Sequence, residues 1–234
     1  MITAIILSGG YGGRTGQAVP KQYLTVNDIP VIAYTMMNVQ RVDEIDRIIV
    51  VADKGWESFI YAYAKQFGVT KLHGVIFGGE TRNESIYNGL CYAKGDGETE
   101  KICLVDANRP MIPKEIFTEA ISHIDSCDIV LPADPCYDSM FLSFDGERVA
   151  EHLDRSQIYK GATPECGRLD TMLELYEDET ARKSTQLSTS GLAIARGKHV
   201  LLSKSHIKCF KITTVDDFEL FKAFLSNEHP INLI

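Results

Sequence analysis

The residues best equipped for chemistry stand in four short clusters. The first is Gly9-Gly10-Tyr11-Gly12-Gly13-Arg14, continued by Pro20-Lys21-Gln22-Tyr23-Leu24. Four glycines in five positions let backbone N–H groups approach an anion closely, because no Cβ intervenes and positive φ costs little. Arg14 adds a planar fork of donors and Lys21 a compact point charge. Pro20 biases Val19 towards an extended conformation and stiffens the approach to Lys21. Such a loop suits a polyphosphate, although a solvated glycine loop with two cations would have the same composition. Two commoner phosphate loops are excluded. A dinucleotide fingerprint starting at Gly10 needs glycine where Thr15 stands, and no Gly-Lys-Ser/Thr triplet follows.

The second cluster is Gly78-Gly79-Glu80-Thr81-Arg82-Asn83-Glu84-Ser85. Thr81 and Glu84 have capping-box spacing, which accounts for those two residues and leaves the glycine pair unexplained. The third, Val105-Asp106-Ala107-Asn108-Arg109-Pro110, puts a carboxylate at the end of an apolar run. Its plainer use is to cap a loop; its chemical use is as a hard oxygen ligand for Mg²⁺. The fourth runs from Lys208 to Thr214, where Lys211 alternates with Phe210 and Ile212. That alternation predicts a short strand with Lys211 on one face, and a solvated edge lysine is the plainer reading. Taken together, the clusters fit metal-assisted chemistry on a nucleoside triphosphate. Such transfer needs positioning and charge neutralisation more than an enzyme nucleophile. Consistently, there is no Gly-x-Ser-x-Gly elbow, zincin helix or catalytic cysteine signature, and the six histidines form no ligand-spaced pair.

The elements that must position these clusters alternate strand and helix. Strands are predicted at 2–7, 46–52, 75–77, 102–105 and 129–131, and helices at 31–42, 56–67, from Thr81 through Cys91, and after Pro113. Asp46 to Ala52 is nearly continuously apolar, as a parallel strand covered on both faces should be. The repeated crossovers predict an α/β fold: a three-layer, Rossmann-like, mainly parallel sheet with helices on both faces. In such sheets ligands bind beyond the carboxyl ends of the strands, where the clusters fall. From Pro132 the pattern changes. Residues 137–160 read as a β-hairpin arm turning at Asp145-Gly146, either a surface excursion or a clasp for a second subunit. A helix over 167–176, strands at 199–202 and near 210–212, and a final helix over 215–225 complete one domain spanning 1–234.

The net charge of −8 argues against a general nucleic-acid binder but permits a local cationic pocket. No run of about 18 apolar residues offers a membrane span, and Met1-Ile-Thr-Ala leads directly into the first strand with no leader pattern. Six cysteines show no Cys-x-x-Cys pairing; Cys91, Cys103 and Cys127 lie in apolar runs and are expected as reduced core residues. A cytoplasmic protein is the resulting expectation.

The clusters resemble the methylerythritol-phosphate and ribitol-phosphate cytidylyltransferases, within the sugar nucleotidyltransferase group. The opening GG-x-G-x-R…PKQ-[YF]-L loop is found at 9–24, GG-x-x-R-x-x-S at 78–85, and D-[AS]-x-RP at 106–110. The QTP element reads Ala162-Thr163-Pro164, and the late K-[IV]-T-T-x-x-D-L reads Lys211 to Phe218. The match is collinear and spans nearly the whole chain. The resemblance implies a nucleotide-diphospho-sugar transferase type of fold and a reaction of CTP with a polyol phosphate. It implies Arg14, Lys21 and Lys211 as catalytic cations, and Mg²⁺ held near Asp106. CTP would be held by Leu7, Ser8, Gly9, Gly10, Gly79, Arg82, Ser85, Asp106 and Ala107. Arg109, Ser139, Arg155 and Thr163 would hold the acceptor, and the arm would build a homodimer. The chain departs from the pattern mainly on the acceptor side: Ser139 with Phe141, Asn108, Ala162, Cys209, and Thr185-Gln186-Leu187-Ser188 without acidic residues. The donor side is intact. The expected reaction is therefore CMP transfer to a polyol phosphate such as ribitol 5-phosphate. Methylerythritol 4-phosphate as acceptor and a nucleotide-binding homologue without turnover are the alternatives.

Overall fold

The computed structural model describes residues 1–9, 19–95 and 97–226. β1 (Ile2–Ser8) is followed, after a 3₁₀ turn at Lys21–Tyr23, by a small hairpin of β2 (Thr25–Val26) and β3 (Ile29–Pro30). Then come α1 (Val31–Gln40), β4 (Arg47–Ala52), α2 (Glu57–Gln66), β5 (Leu72–Phe77), α3 (Arg82–Gly95), β6 (Lys101–Asp106), α4 (Lys114–Ser122) and β7 (Ile129–Pro135). β8 (Met140–Leu142) and β9 (Glu151–Leu153) form the arm, and β10 (Tyr159–Gly161) and β11 (Glu165–Arg168) return to the sheet. α5 (Leu169–Leu175), α6 (Glu179–Lys183), α7 (Thr189–Ala195), β12 (Val200–Lys204) and α8 (Val215–Ser226) complete the fold.

The main sheet runs β10-β7-β11-β6-β1-β4-β5, with β12 also paired to β7. β1 pairs in parallel with both β4 and β6. Its side chains alternate between two cores: Ala4 and Ile6 pack with Ile32, Met36 and Phe117, while Ile5 and Leu7 pack with Ile86, Leu90 and Met172. A strand covered on both faces leaves no polar alternation, which is why β1, β4 and β6 read as apolar runs. α1, α2 and α4 lie on one face and α3, α5 and α7 on the other. The expected three-layer α/β architecture with a mainly parallel sheet is what the chain forms.

Two expectations about secondary structure fail, and one about burial. The helix predicted from Gly167 begins only at Leu169, because Glu165–Arg168 is a strand inserted antiparallel between β6 and β7. Gly167 is required there by packing, since a Cβ would lie 2.7 Å from the carbonyl of Asp128. The strand predicted near Phe210 is also absent. Ile207–Cys209 is a 3₁₀ turn, and the following residues run irregularly against the loop after β6. Among the three cysteines expected in the core, Cys103 is buried and Cys127 partly so, but Cys91 is exposed on the outer face of α3. All six thiols are free.

The arm is a true antiparallel hairpin, with Met140 opposite Leu153 and Leu142 opposite Glu151. Its neck is closed where the Cys136 N–H donates to the carbonyl of Ile158 at 2.9 Å. Asp145 Oδ1 organises the turn by accepting from the N–H groups of Glu147 and Arg148. No helix among the described residues is long and apolar enough to cross a membrane.

Candidate active site

Asp106 ends β6 directly beside Leu7 of β1, and its carboxylate sits among three cations. Its Oδ2 accepts from Arg109 Nε at 3.1 Å and from Lys211 Nζ at 3.0 Å, while Oδ1 faces Arg82 Nη2 at 3.4 Å. Burial by itself would raise the carboxyl pKa. Arg82, Lys211 and Arg109 outweigh it and hold the group far below the usual carboxylate range. Arg82 also lies 3.7 Å from Glu165, a carboxylate only 3% exposed. Glu165 Oε2 in turn accepts from the Ser190 N–H at 2.7 Å and from Ser190 Oγ at 2.6 Å. Two carboxylates thus face three cations, an excess of positive charge that suits an anionic ligand.

Lys211 reaches Asp106 because two loops are clasped together. The Ile212 N–H donates to the Asn108 carbonyl at 2.9 Å, and Asn108 Nδ2 donates to the Ile212 carbonyl at 2.7 Å. Arg109 Nη1 donates to the carbonyl of Cys209. Asn108 and Cys209, two departures from the family pattern, are therefore built into the clasp that presents Lys211.

Lys21 opens its 3₁₀ turn directly after Pro20, and the next two residues pin that turn to the end of β1. Gln22 Nε2 donates to the Ser8 carbonyl at 2.6 Å, and Tyr23 Oη lies 3.0 Å from Ser8 Oγ. The Tyr23 ring stacks on Trp56 with centroids 3.6 Å apart and planes 3° off parallel. Burial pushes the Tyr23 phenol up to about 12. Leu7 is bound through its carbonyl, which accepts from the Ala107 N–H at 3.0 Å. Leu7, Ser8 and Ala107 thus act as a frame, and Gly9 is the first exposed residue beyond it. Gly10 and Arg14 lie outside the described residues.

The second cluster closes the other side of the frame. Thr81 and Glu84 make the reciprocal capping box: the Glu84 N–H donates to Thr81 Oγ1 at 2.9 Å, and the Thr81 N–H donates to Glu84 Oε2 at 3.2 Å. The glycine pair now has a reason. A Cβ on Gly79 would lie 2.3 Å from Glu84 Cβ, and one on Gly78 would lie 2.7 Å from Ser85 Oγ. Ser85 Oγ donates to the Thr81 carbonyl at 2.9 Å and accepts from the Gly79 N–H at 3.1 Å, which leaves it one lone pair.

Arg109 is buried against Asp106, and Thr163 is buried where its Oγ1 accepts weakly from the Asp106 N–H at 3.5 Å. The structure thus brings Arg82, Asp106, Arg109, Thr163 and Lys211 together. Ser139 and Arg155 lie on the arm, where Arg155 donates to the carbonyl of Tyr137. Among the described residues no hydrogen bond or ion pair joins either one to the Asp106 cluster. Sequence reasoning missed Glu165 and Trp56 as parts of the site, and gave Gln22 and Tyr23, though they lie in the first cluster, no role of their own. Position was the available signal, since each directly follows or faces a motif residue.

Residues 2–227 match the family described as IspD: 2-C-methyl-D-erythritol 4-phosphate cytidylyltransferase. The chain belongs to that family. A ribitol-5-phosphate cytidylyltransferase of Lacticaseibacillus paracasei is 28% identical, over 96% of this chain and 98% of the relative. A 2-C-methyl-D-erythritol 4-phosphate cytidylyltransferase of Desulforamulus reducens is also 28% identical, over 97% of each chain. The crystal structure of 4-diphosphocytidyl-2C-methyl-D-erythritol synthase from Anaerococcus prevotii superposes with a TM-score of 0.82 at 25% identity, covering 96% of each chain. The described parts of the four clusters meet around the carboxyl ends of β1 and β6.

The segment that departs most from the family pattern is nonetheless well built. Ser188 caps α7 by accepting from the Gly191 N–H at 3.1 Å, and Thr189 Oγ1 lies 2.8 Å from Tyr176 Oη. Asn83 Nδ2 donates to the carbonyls of Ala181 and Ser184, each at 3.0 Å. Loss of the acidic residues leaves the helix start capped by a serine, one of the preferred residues for that role.

Proposed function

We propose that this protein transfers CMP from CTP to a polyol phosphate, ribitol 5-phosphate, giving a CDP-polyol and pyrophosphate. The observation that carries the reading is the Asp106 carboxylate gathering Arg82, Arg109 and Lys211 at the end of β6. A phosphate oxygen of the acceptor attacks the α-phosphorus, the bond to the bridging oxygen breaks, and pyrophosphate leaves. Charge grows on the triphosphate during this step, and cations held in place beforehand favour it without reorganising. Lys211 and Arg82 are partly exposed and can turn from Asp106 to phosphate oxygens; Lys21 and Arg14 complete the cationic set. Gly9, exposed at the end of β1, reads the base together with Gly10, Gly79 and Ser85.

Among the described residues no group of three or more His, Cys, Asp and Glu could hold a metal by itself. One carboxylate is still enough for Mg²⁺ when the substrate's own phosphates supply further oxygens. Asp106 would hold the ion at the triphosphate, where it would neutralise charge.

The acceptor is read at the arm, where Ser139 keeps a hydroxyl and Phe141 is exposed against the ring of His152. Tyr137, Phe144 and Val149 are 77%, 87% and 65% exposed there, an apolar surface that supports a homodimer closed through the arms. The family description and the Desulforamulus relative favour methylerythritol 4-phosphate as the second reading. Offering CTP and Mg²⁺ with either acceptor, and following pyrophosphate, separates the two. Turnover with methylerythritol 4-phosphate alone rules out the ribitol reading. CTP-dependent thermal stabilisation with no pyrophosphate from any acceptor would point to a homologue without turnover.

A further inference from the structure

Away from the nucleotide site, a cleft of about 400 Å³ opens between α1, the loop at Pro110–Pro113, the turn carrying Lys208, and α8. Its floor is apolar, made by Met37, Met111, Phe221 and Leu225. Arg41, Lys114 and Lys208 stand around it, and no carboxylate lines it. Among the described residues none of these three cations makes an ion pair. Lys114 also borders a shallower groove lined by Asp43, Glu44 and Glu115, so the charge facing the cleft rests on Arg41 and Lys208. No residue expected to bind CTP or the acceptor takes part.

We propose that this cleft binds a small amphipathic anion, with an aromatic or aliphatic body on Met37, Met111 and Phe221 and a phosphate, sulfonate or carboxylate head between Arg41 and Lys208. The size is that of an ordinary small-molecule site, and the apolar floor with a few convergent charges is the usual composition of one. Burying the body removes apolar surface from water, and the two cations give the head a fixed position.

The cleft is also placed to matter for catalysis. Pro110 and Lys208 form its walls, Asn38 Nδ2 holds the Pro110 carbonyl, and the adjoining Asn108 and Arg109 clasp Cys209 and Ile212. Lys211 is presented by that same clasp. A ligand that spreads or tightens these walls shifts Lys211 relative to Asp106, which makes the cleft an effector site. This last step rests on the proposed transfer reaction; the binding itself does not.

The probe is 8-anilinonaphthalene-1-sulfonate, which combines aromatic rings with a fixed anion, titrated into the full chain and followed by fluorescence. Saturable one-to-one binding is expected, undisturbed by excess CTP and Mg²⁺. Arg41→Glu and Lys208→Glu, each at the solvent-facing rim, should raise the dissociation constant at least tenfold while leaving the melting temperature unchanged. Met37→Trp, which fills the floor, should abolish binding. In the pyrophosphate assay the probe should change kcat more than KM for CTP. Unaltered binding in both charge variants, displacement by CTP, or no saturation overturns the proposal. A protein that binds the probe as described yet transfers no CMP keeps the site and overturns only the proposed reaction.

Discussion

Replacing Asp106 with asparagine removes the one negative charge on which three cations converge. Its side chain is 8% exposed and that of Arg109 10%, so this pair is buried. Lys211 and Arg82 are 37% and 36% exposed, and solvent screens their share strongly. Breaking a buried pair by removing one partner costs about 3–5 kcal/mol. The lower end applies because Arg109 keeps the Cys209 carbonyl and the asparagine amide oxygen still accepts a hydrogen bond. For a chain of 234 residues each kcal/mol moves the melting temperature by about 2–4 °C. Asp106→Asn should therefore melt roughly 6–12 °C below wild type in calorimetry at pH 7 without nucleotide. The pH dependence has a definite sign. Folding lowers the Asp106 pKa, so its contribution is fully present above the unfolded value of about 3.9 and is lost as pH falls through the folded value. The gap between wild type and variant should stay constant from about pH 5 to 8 and narrow below about pH 4. A difference under about 2 °C at pH 7, or a gap that widens on acidification, would refute the assignment of Asp106 as the anchor of the cations.

Gly79→Ala forces a Cβ to within 2.3 Å of Glu84 Cβ and should cost about 1–3 kcal/mol in thermal denaturation. Gly95→Ala, which meets nothing within 4 Å, should be neutral in the same experiment. Glu165→Ala strands the Ser190 N–H and leaves Arg82 with Asp106 alone; a loss of about 1–3 kcal/mol and a raised KM for CTP are expected. Glu165→Gln, which can still accept from Ser190, should lose less stability. Tyr23→Phe takes the phenol partner from the buried Ser8 Oγ beside Lys21; a loss of about 1 kcal/mol in thermal denaturation and a lower kcat in steady-state pyrophosphate release are expected.

Local signals were legible in the sequence and tertiary ones were not. The Thr81/Glu84 capping box and the strands β1, β4 and β6 follow from neighbouring residues and from burial on both faces, and they form as read. β11 escaped because Glu165-Cys166-Gly167-Arg168 has neither alternation nor β-branched residues; its strand conformation comes from pairing with β6 and β7. The Phe210–Ile212 alternation misled for the converse reason, since the Ile212 backbone pairs with Asn108 and the side chains of Phe210 and Ile212 pack against α8, not in a sheet. Asp106 and Lys211 were recognisable by type and motif. That they touch, and that Glu165 supports Arg82 from behind, depends on segments more than 50 residues apart meeting at the carboxyl ends of the central strands.

The neck of the arm has a further meaning. The hairpin departs from β7 and rejoins it through β10, with Cys136 and Ile158 bonded across the opening. Everything between those two residues can change length or composition without disturbing a single rung of the central sheet. The arm is in effect a cassette, and its residues are free to diverge while the nucleotide end stays as it is. Under the proposed acceptor reading, grafting residues 136–158 from a relative would exchange Ser139 and Arg155 together while leaving Arg109, Thr163 and the Asp106 cluster in place.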